Sequence, residues 1–271
     1  DSRDILKRLA EADPSHAGYQ YDFAVSYNKL GDVLKKEGKL SAARRAYEDS
    51  HDILRQLVEA DPSHAICQHC LSVSYNKLGD VLVAEGNLPA ARRAYEDSRD
   101  ILKRLAEADP SHAGRQRDLS VSYNKLGDVL VAEGNLPAAR RAYEDSRDIR
   151  KRLAEADPSH AGRQVDLAVS HERMGDMAVR LGRTEAALAA FQAARDIYGR
   201  LLARFPEHPQ FLLGSVVPDI RLAALEGAEG RAYLERALRV LTGLEAEGRL
   251  DAQRRAWIPV VESALSELDS K

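Results

Sequence analysis

The residues with the greatest capacity for chemistry are Cys67-Gln-His-Cys70, which place two thiols and an imidazole within four positions. A structural zinc ion needs four ligands converging at about 2.0–2.3 Å, and this stretch offers at most three on one helix. The equivalent positions elsewhere hold Tyr19 and Asp22, Arg115 and Asp118, and Arg163 and Asp166, so the surrounding pattern stands without cysteine. Histidine also recurs in Asp-Pro-Ser-His-Ala, as His16, His64, His112 and His160, at an interval of 48 residues. Imidazoles in successive inter-repeat turns cannot meet at one ion when neighbouring helices stand about 8–10 Å apart. A turn or helix-start role is expected for them. The chain has no Gly-rich phosphate loop, nucleophile elbow or His-Glu-x-x-His motif. The sequence predicts no catalytic residue, no metal, no cofactor and no enzymatic activity in this segment.

The elements that carry these residues are strongly periodic. Ser-Tyr-Asn-Lys-Leu-Gly-Asp-Val-Leu stands at Ser26–Leu34, Ser74–Leu82 and Ser122–Leu130, with a divergent copy at Ser170–Ala178. Ser72–Ala113 and Ser120–Ala161 differ only at Leu102 and Arg150. A fixed period in this range marks a solenoid or similar array. Each unit contains two helical patterns. Leu119, Tyr123, Leu126 and Leu130 recur at spacings of three and four, and so do Ala139, Tyr143, Ser146, Ile149 and Leu153. Gly86 and Gly134 break the chain between the two helices. The Asp-Pro step ends the second helix, because the residue before proline is driven out of the α region. Nothing reads as a strand. Tyr27, Leu30, Gly31 and Leu34 are expected to form a buried stripe, which makes the nonapeptide mainly a building block.

Composition narrows the function classes. The hydrophobic content of 44% suffices for a core, and 40 Lys and Arg against 43 Asp and Glu leave a net charge of -3. That balance argues against nucleic acid, whose sequence-independent binding needs excess cations, and against an anionic membrane surface. No apolar run approaches the roughly 20 residues that cross a bilayer. Two cysteines make no disulfide framework, which fits a reducing, cytoplasmic setting.

The unit resembles the tetratricopeptide repeat, with its pattern W-x2-L-G-x2-Y, A-x3-F and P. Here the pattern reads Tyr75, Leu78, Gly79 and Leu82, then Ala91 and Tyr95. Tyrosine replaces tryptophan, leucine replaces the second aromatic, and the unit exceeds the family's usual 34 residues. Each helix is therefore about two turns longer, ~10 Å. The lengthened unit resembles those in bacterial multidomain signalling proteins. The resemblance covers roughly Asp1–Gly248. It implies an all-α fold, a right-handed α-solenoid of antiparallel helix pairs, with a concave groove that binds peptides or proteins.

On a helical projection the first helix of each unit carries a polar flank beside its apolar face. Through the resemblance, that flank lines the groove. Its members are Tyr21, Asn28 and Asp32; His69, Asn76 and Asp80; Arg117, Asn124 and Asp128; and Glu172 and Asp176, with Val165 at the position equivalent to Tyr21. Asn28, Asn76 and Asn124 form one ladder, and Asp32, Asp80, Asp128 and Asp176 another. Amides both donate and accept, which suits a peptide backbone, while a carboxylate row favours a basic peptide. The same side chains could instead bond to adjoining helices and set the repeats in place. The variation among Tyr21, His69, Arg117 and Val165 is either a diversified recognition surface or drift at a tolerant site.

The chain divides into a second helix and turn over 1–17, repeats over 18–65, 66–113, 114–161 and 162–209, a degenerate repeat over 210–248, and a capping helix over 249–271. Asp1–Gly18 is identical to Asp97–Gly114. The start inside a second helix implies a fragment of a longer chain whose preceding part supplies at least a first helix. The expected function is a protein-interaction module, the sensor or docking arm of a larger protein, that takes a peptide or protein segment. The alternatives are a spacer or scaffold that self-associates, and a regulatory segment of an enzyme whose catalytic domain lies upstream.

Overall fold

The structure is a computed structural model that describes residues 2–269. Its described elements are helical throughout, without strands. They are α1 (Ser2–Ala12), α2 (Ala17–Lys36), α3 (Leu40–Ala60), α4 (Ala65–Ala84), α5 (Leu88–Ala108), α6 (Ala113–Ala132) and α7 (Leu136–Ala156). There follow α8 (Ala161–Arg180), α9 (Thr184–Arg204), α10 (Pro209–Glu226), a 3-10 turn (Gly227–Gly230), α11 (Arg231–Ala246), α12 (Ala252–Arg255) and α13 (Trp257–Asp269). No helix among the described residues is long and apolar enough to cross a membrane.

The recurrent histidines start helices. His16, His64, His112 and His160 are the N-cap residues of α2, α4, α6 and α8, and each side chain accepts the backbone N–H three residues on. The Arg115 amide, for example, donates to His112 Nδ1 at 3.2 Å. This satisfies one of the amides that a helix start leaves without an internal partner. The preceding aspartate holds the turn: Ser15 donates to Asp13 Oδ1 from both its amide and its hydroxyl. Between the helices of a pair, Gly86 takes φ +80°, a left-handed conformation that glycine adopts without a Cβ clash.

The hairpins close around a glycine. Gly79 of α4 lies beneath the Tyr95 ring of α5, so closely that a Cβ there would stand 2.4 Å from Tyr95 Cε1. Gly31 with Tyr47, Gly127 with Tyr143 and Gly175 with Phe191 repeat the arrangement. Ala91, the small residue of the repeat pattern, is fully buried in α5. The predicted stripe is uneven. In α2, Gly31 is buried while Tyr27, Leu30 and Leu34 are half-buried; in α6, Leu126 and Leu130 are both buried.

The chain forms two compact units, one running to Ser146 and the other from Arg147. In the first, α2 packs on α3 and α4 on α5, while α3 contacts α4 and α5 contacts α6. The first helices also touch, α2 against α4 and α4 against α6. Val81 of α4 completes a core with Ala43 and Tyr47 of α3, and Leu71 joins Ala24, Leu54, Ile101 and Leu105 in another. These cores join one pair to the next, as a repeat array requires.

In the second unit α8 packs on α9, α9 on α10, α10 on α11 and α11 on α13. The helix α10 is maintained through Pro218. Val216, Leu234, Ala237, Leu241, Leu244 and Val261 form the terminal core, with Trp257 partly buried against it. Asp219 is buried nearby, held by Arg195 Nε at 3.1 Å and Arg236 Nε at 2.9 Å.

Candidate functional site

The flank of the first helices carries three sets of polar side chains, and their surroundings differ. The aspartates are bound into the scaffold. Asp32 Oδ1 accepts the Tyr47 hydroxyl of its own hairpin at 2.8 Å and Lys77 Nζ of the next first helix at 2.5 Å. Asp80 Oδ1 repeats this with Tyr95 at 2.8 Å and Lys125 at 2.5 Å, and Lys35 Nζ approaches its other oxygen at 3.5 Å. Tyr143 donates to Asp128 at 2.6 Å, and Arg221 of α10 pairs with Asp176 at 3.0 Å.

Electrostatics follow from these contacts. Burial pushes the Asp32 carboxyl up, but hydrogen bonds from Lys77 and Tyr47, with the lysine charges, outweigh it and hold the group below its ordinary value. Burial and the Asp32 carboxylate push the Tyr47 hydroxyl well above its own. Lys77 Nζ also sits 5.6 Å from the centre of the Tyr47 ring, where the π-face attracts a cation.

The asparagines behave otherwise. Asn28 and Asn124 are buried, at 8% and 6% exposure. The buried side-chain carbonyls of Asn28 and Asn76 have no hydrogen-bond partner. Glu172 takes this place in the fourth repeat, with its Oε1 likewise buried and unbonded. Burial, reinforced by the Asp176 charge, pushes the Glu172 carboxyl up to about 8 in spite of a hydrogen bond from Tyr198.

The variable positions reach toward the following repeat. The Tyr21 hydroxyl lies 3.4 Å from Cys70 Sγ, and His69 Nε2 lies 2.9 Å from Asp118 Oδ2. Residue 21 of one repeat thus meets residue 70 of the next, and residue 69 meets residue 118. Arg117 is exposed and Val165 half-buried. The structure therefore brings Tyr21 and His69 into contacts between first helices and ties all four aspartates into pairs.

Sequence reasoning missed Tyr47, Tyr95, Lys77 and Lys125, the partners of the carboxylates. Lys77 and Lys125 recur inside the nonapeptide, three residues before Asp80 and Asp128, which was a signal. Their actual partners lie 45 residues away, a separation that helical periodicity does not report. A cleft of about 860 Å³ in the second unit is lined by Lys151, Leu167, His171, Arg200, Arg204 and Phe205 among others, and by none of the sequence-predicted residues.

The comparisons agree with this architecture. The model of the tetratricopeptide repeat matches residues 23–65, 71–112 and 119–160. BtubC (BKLC) from P. vanneervenii superposes with a TM-score of 0.68 at 18% sequence identity, over 90% of this chain and 88% of that one. A protein of Podosopora anserina, named for kinesin light chain and built of nearly identical TPR-like repeats, gives two further crystal structures. One has a TM-score of 0.55 at 16% identity, over 84% of this chain and 98% of that one. The other has 0.52 at 17%, over 83% and 96%. No curated protein matches the chain in sequence. At these identities the solved structures establish the fold, an all-α solenoid of helix pairs. Repeats of this kind are generally protein-interaction modules. Residues 23–65, 71–112 and 119–160 are therefore three tetratricopeptide repeats, and the helices that follow keep the paired packing of such repeats.

Proposed function

We propose that this chain holds a peptide or protein segment along the first-helix face that carries Asn28, Asn76 and Asn124, as the docking arm of a larger protein. The observation that carries this reading is the pair of buried, unbonded amide carbonyls at Asn28 and Asn76. A buried polar atom without a partner costs about 1–3 kcal/mol. The neighbouring aspartates are already engaged by tyrosine and lysine. Asn28 and Asn76 are thus polar groups of this face whose bonding capacity the scaffold leaves open. An amide can both donate to and accept from the backbone of an extended segment, so affinity would come from main-chain contacts and selectivity from the flanking side chains. Because the carboxylates are neutralised by lysines, the segment need not be basic.

The test is to select peptides against the chain from a display library and measure their affinity for it and for N28A/N76A. Binding should weaken at least about tenfold in the double variant, equivalent to about 1.4 kcal/mol. Its melting temperature should stay level or rise, because two unbonded carbonyls are removed. Unchanged affinity, or a marked loss of stability, would show that the asparagines position the repeats instead.

A further inference from the structure

Cys70 lies in a built environment that the repeat does not need. Its equivalents are Asp22, Asp118 and Asp166. The Tyr21 hydroxyl of α2 stands 3.4 Å from its sulfur. His69 adjoins Cys70 in the chain, where its imidazole acts on the thiol, and its Nε2 is held by Asp118 Oδ2 of α6 at 2.9 Å. Three successive first helices therefore contribute to one array of thiol, imidazole and carboxylate. Cys70 is half-buried, whereas Cys67, one turn earlier on α4, is buried at 5% exposure. Among the described residues no three His, Cys, Asp or Glu side chains gather so as to hold a metal ion.

A cysteine attacks as its thiolate, and an adjacent imidazolium stabilises that form. A carboxylate on the far nitrogen orients the ring and keeps its charge, the division of labour found when a base is itself held by a third group. The surroundings follow this pattern. The bond to Asp118, with the adjacent Cys70 thiol, pushes His69 up to about 9. Burial raises the Cys70 thiol, but His69 and Tyr21 outweigh it and hold the thiol below its ordinary value. Tyr21, whose hydroxyl lies against the sulfur, is pushed up to about 12. Cys67 has no such support, and burial pushes it up. Asp22, next to Tyr21 on α2, adds its charge to the field at the Tyr21 hydroxyl.

We infer that Cys70 is a reactive thiol that exchanges with small disulfides, with His69 and Asp118 as its positioning residues. The Cys70 thiolate attacks one sulfur of the disulfide RSSR. The bond between Cys70 and RS forms as the original S–S bond breaks, and the departing RS⁻ takes the His69 proton to leave as RSH. The product is a mixed disulfide lodged against Tyr21, where α2 and α4 meet, so the modification acts on a contact between repeats.

The experiment treats the native chain with dithiodipyridine, follows thiopyridone release by stopped flow, and locates the label by peptide mass mapping. One fast equivalent at Cys70 is expected at pH 6, retained in C67A and absent in C70A. H69Q and D118N should each slow it and move the midpoint of the pH–rate profile upward. Each tenfold loss of thiolate should slow the exchange roughly three- to fourfold, because intrinsic nucleophilicity rises as the thiol becomes more basic. The inference is overturned if Cys70 reacts no faster than a cysteine in an unstructured peptide. It is equally overturned if the fast phase maps to Cys67, or if both H69Q and D118N leave rate and midpoint unchanged.

Discussion

The Tyr95 hydroxyl donates to Asp80 Oδ1 at 2.8 Å while Lys125 Nζ, from the next first helix, holds the same oxygen at 2.5 Å. One carboxylate thereby joins its own hairpin to the following one. Tyr95→Phe keeps the ring over Gly79 and removes only the bond to a charged acceptor, so it should cost about 1.5–3 kcal/mol in urea unfolding. Because Tyr95 and Lys125 share one oxygen, a cycle with Lys125→Met should show non-additive losses. Strict additivity would mean that the two contacts are energetically independent.

Glycine substitution should have opposite signs at two helical sites. At Gly79 the new methyl would meet the Tyr95 ring at 2.4 Å, and overpacking of this kind costs about 1–3 kcal/mol. That exceeds the gain of about 1 kcal/mol from replacing a helical glycine with alanine. Gly199 of α9 has nothing within 4 Å of the same position. Gly79→Ala should lower the melting temperature and Gly199→Ala should raise it.

His112→Ala removes the acceptor for the Arg115 amide and should destabilise by about 0.5–2 kcal/mol. His112→Asn supplies another acceptor at the N-cap and should restore most of the loss. Equal stability of the Ala and Asn variants would show that the ring acts through packing rather than capping.

Glu172 gives stability a pH dependence of defined sign. Its carboxyl is raised from 4.5 to about 8 in the folded chain, so the folded state binds this proton more tightly than the unfolded state does. The contribution is fully present below pH 4.5, is lost progressively as pH rises toward 8, and then levels off. Glu172→Gln should therefore leave the melting temperature near pH 4 unchanged, raise it at pH 8, and flatten the profile between. A variant that melts lower at pH 8 would show that the ionised carboxylate is stabilising.

The recurrence of Asp-Pro-Ser-His-Ala and of the nonapeptide made the helices, their pairing and their turns legible, because capping, glycine turns and three-and-four spacing are local chemistry. Interactions between repeats were less legible. Helical projection placed Asn28 and Asp32 on one flank as equals, yet Asp32 is bound by Tyr47 and Lys77 while the Asn28 carbonyl has no partner. A projection gives the direction of a side chain and says nothing of what stands opposite it.

The change at the variable position has the same origin. Tyr21 and His69 looked like independent variation along a surface, but each meets the residue equivalent to 70 in the next repeat, as Tyr21 with Cys70 and His69 with Asp118. The pairing joins residues 49 apart, one residue out of step with the 48-residue period, so comparing equivalent positions could not reveal it. The sequence by itself determined that these are stacked helix pairs, since a repeated amphipathic hairpin can bury its apolar face only against a copy of itself. Which polar groups are used in that stacking, and which are left for chemistry or a partner, was decided by tertiary packing, because hydrogen bonds depend on distances between atoms that the chain brings together only when it folds.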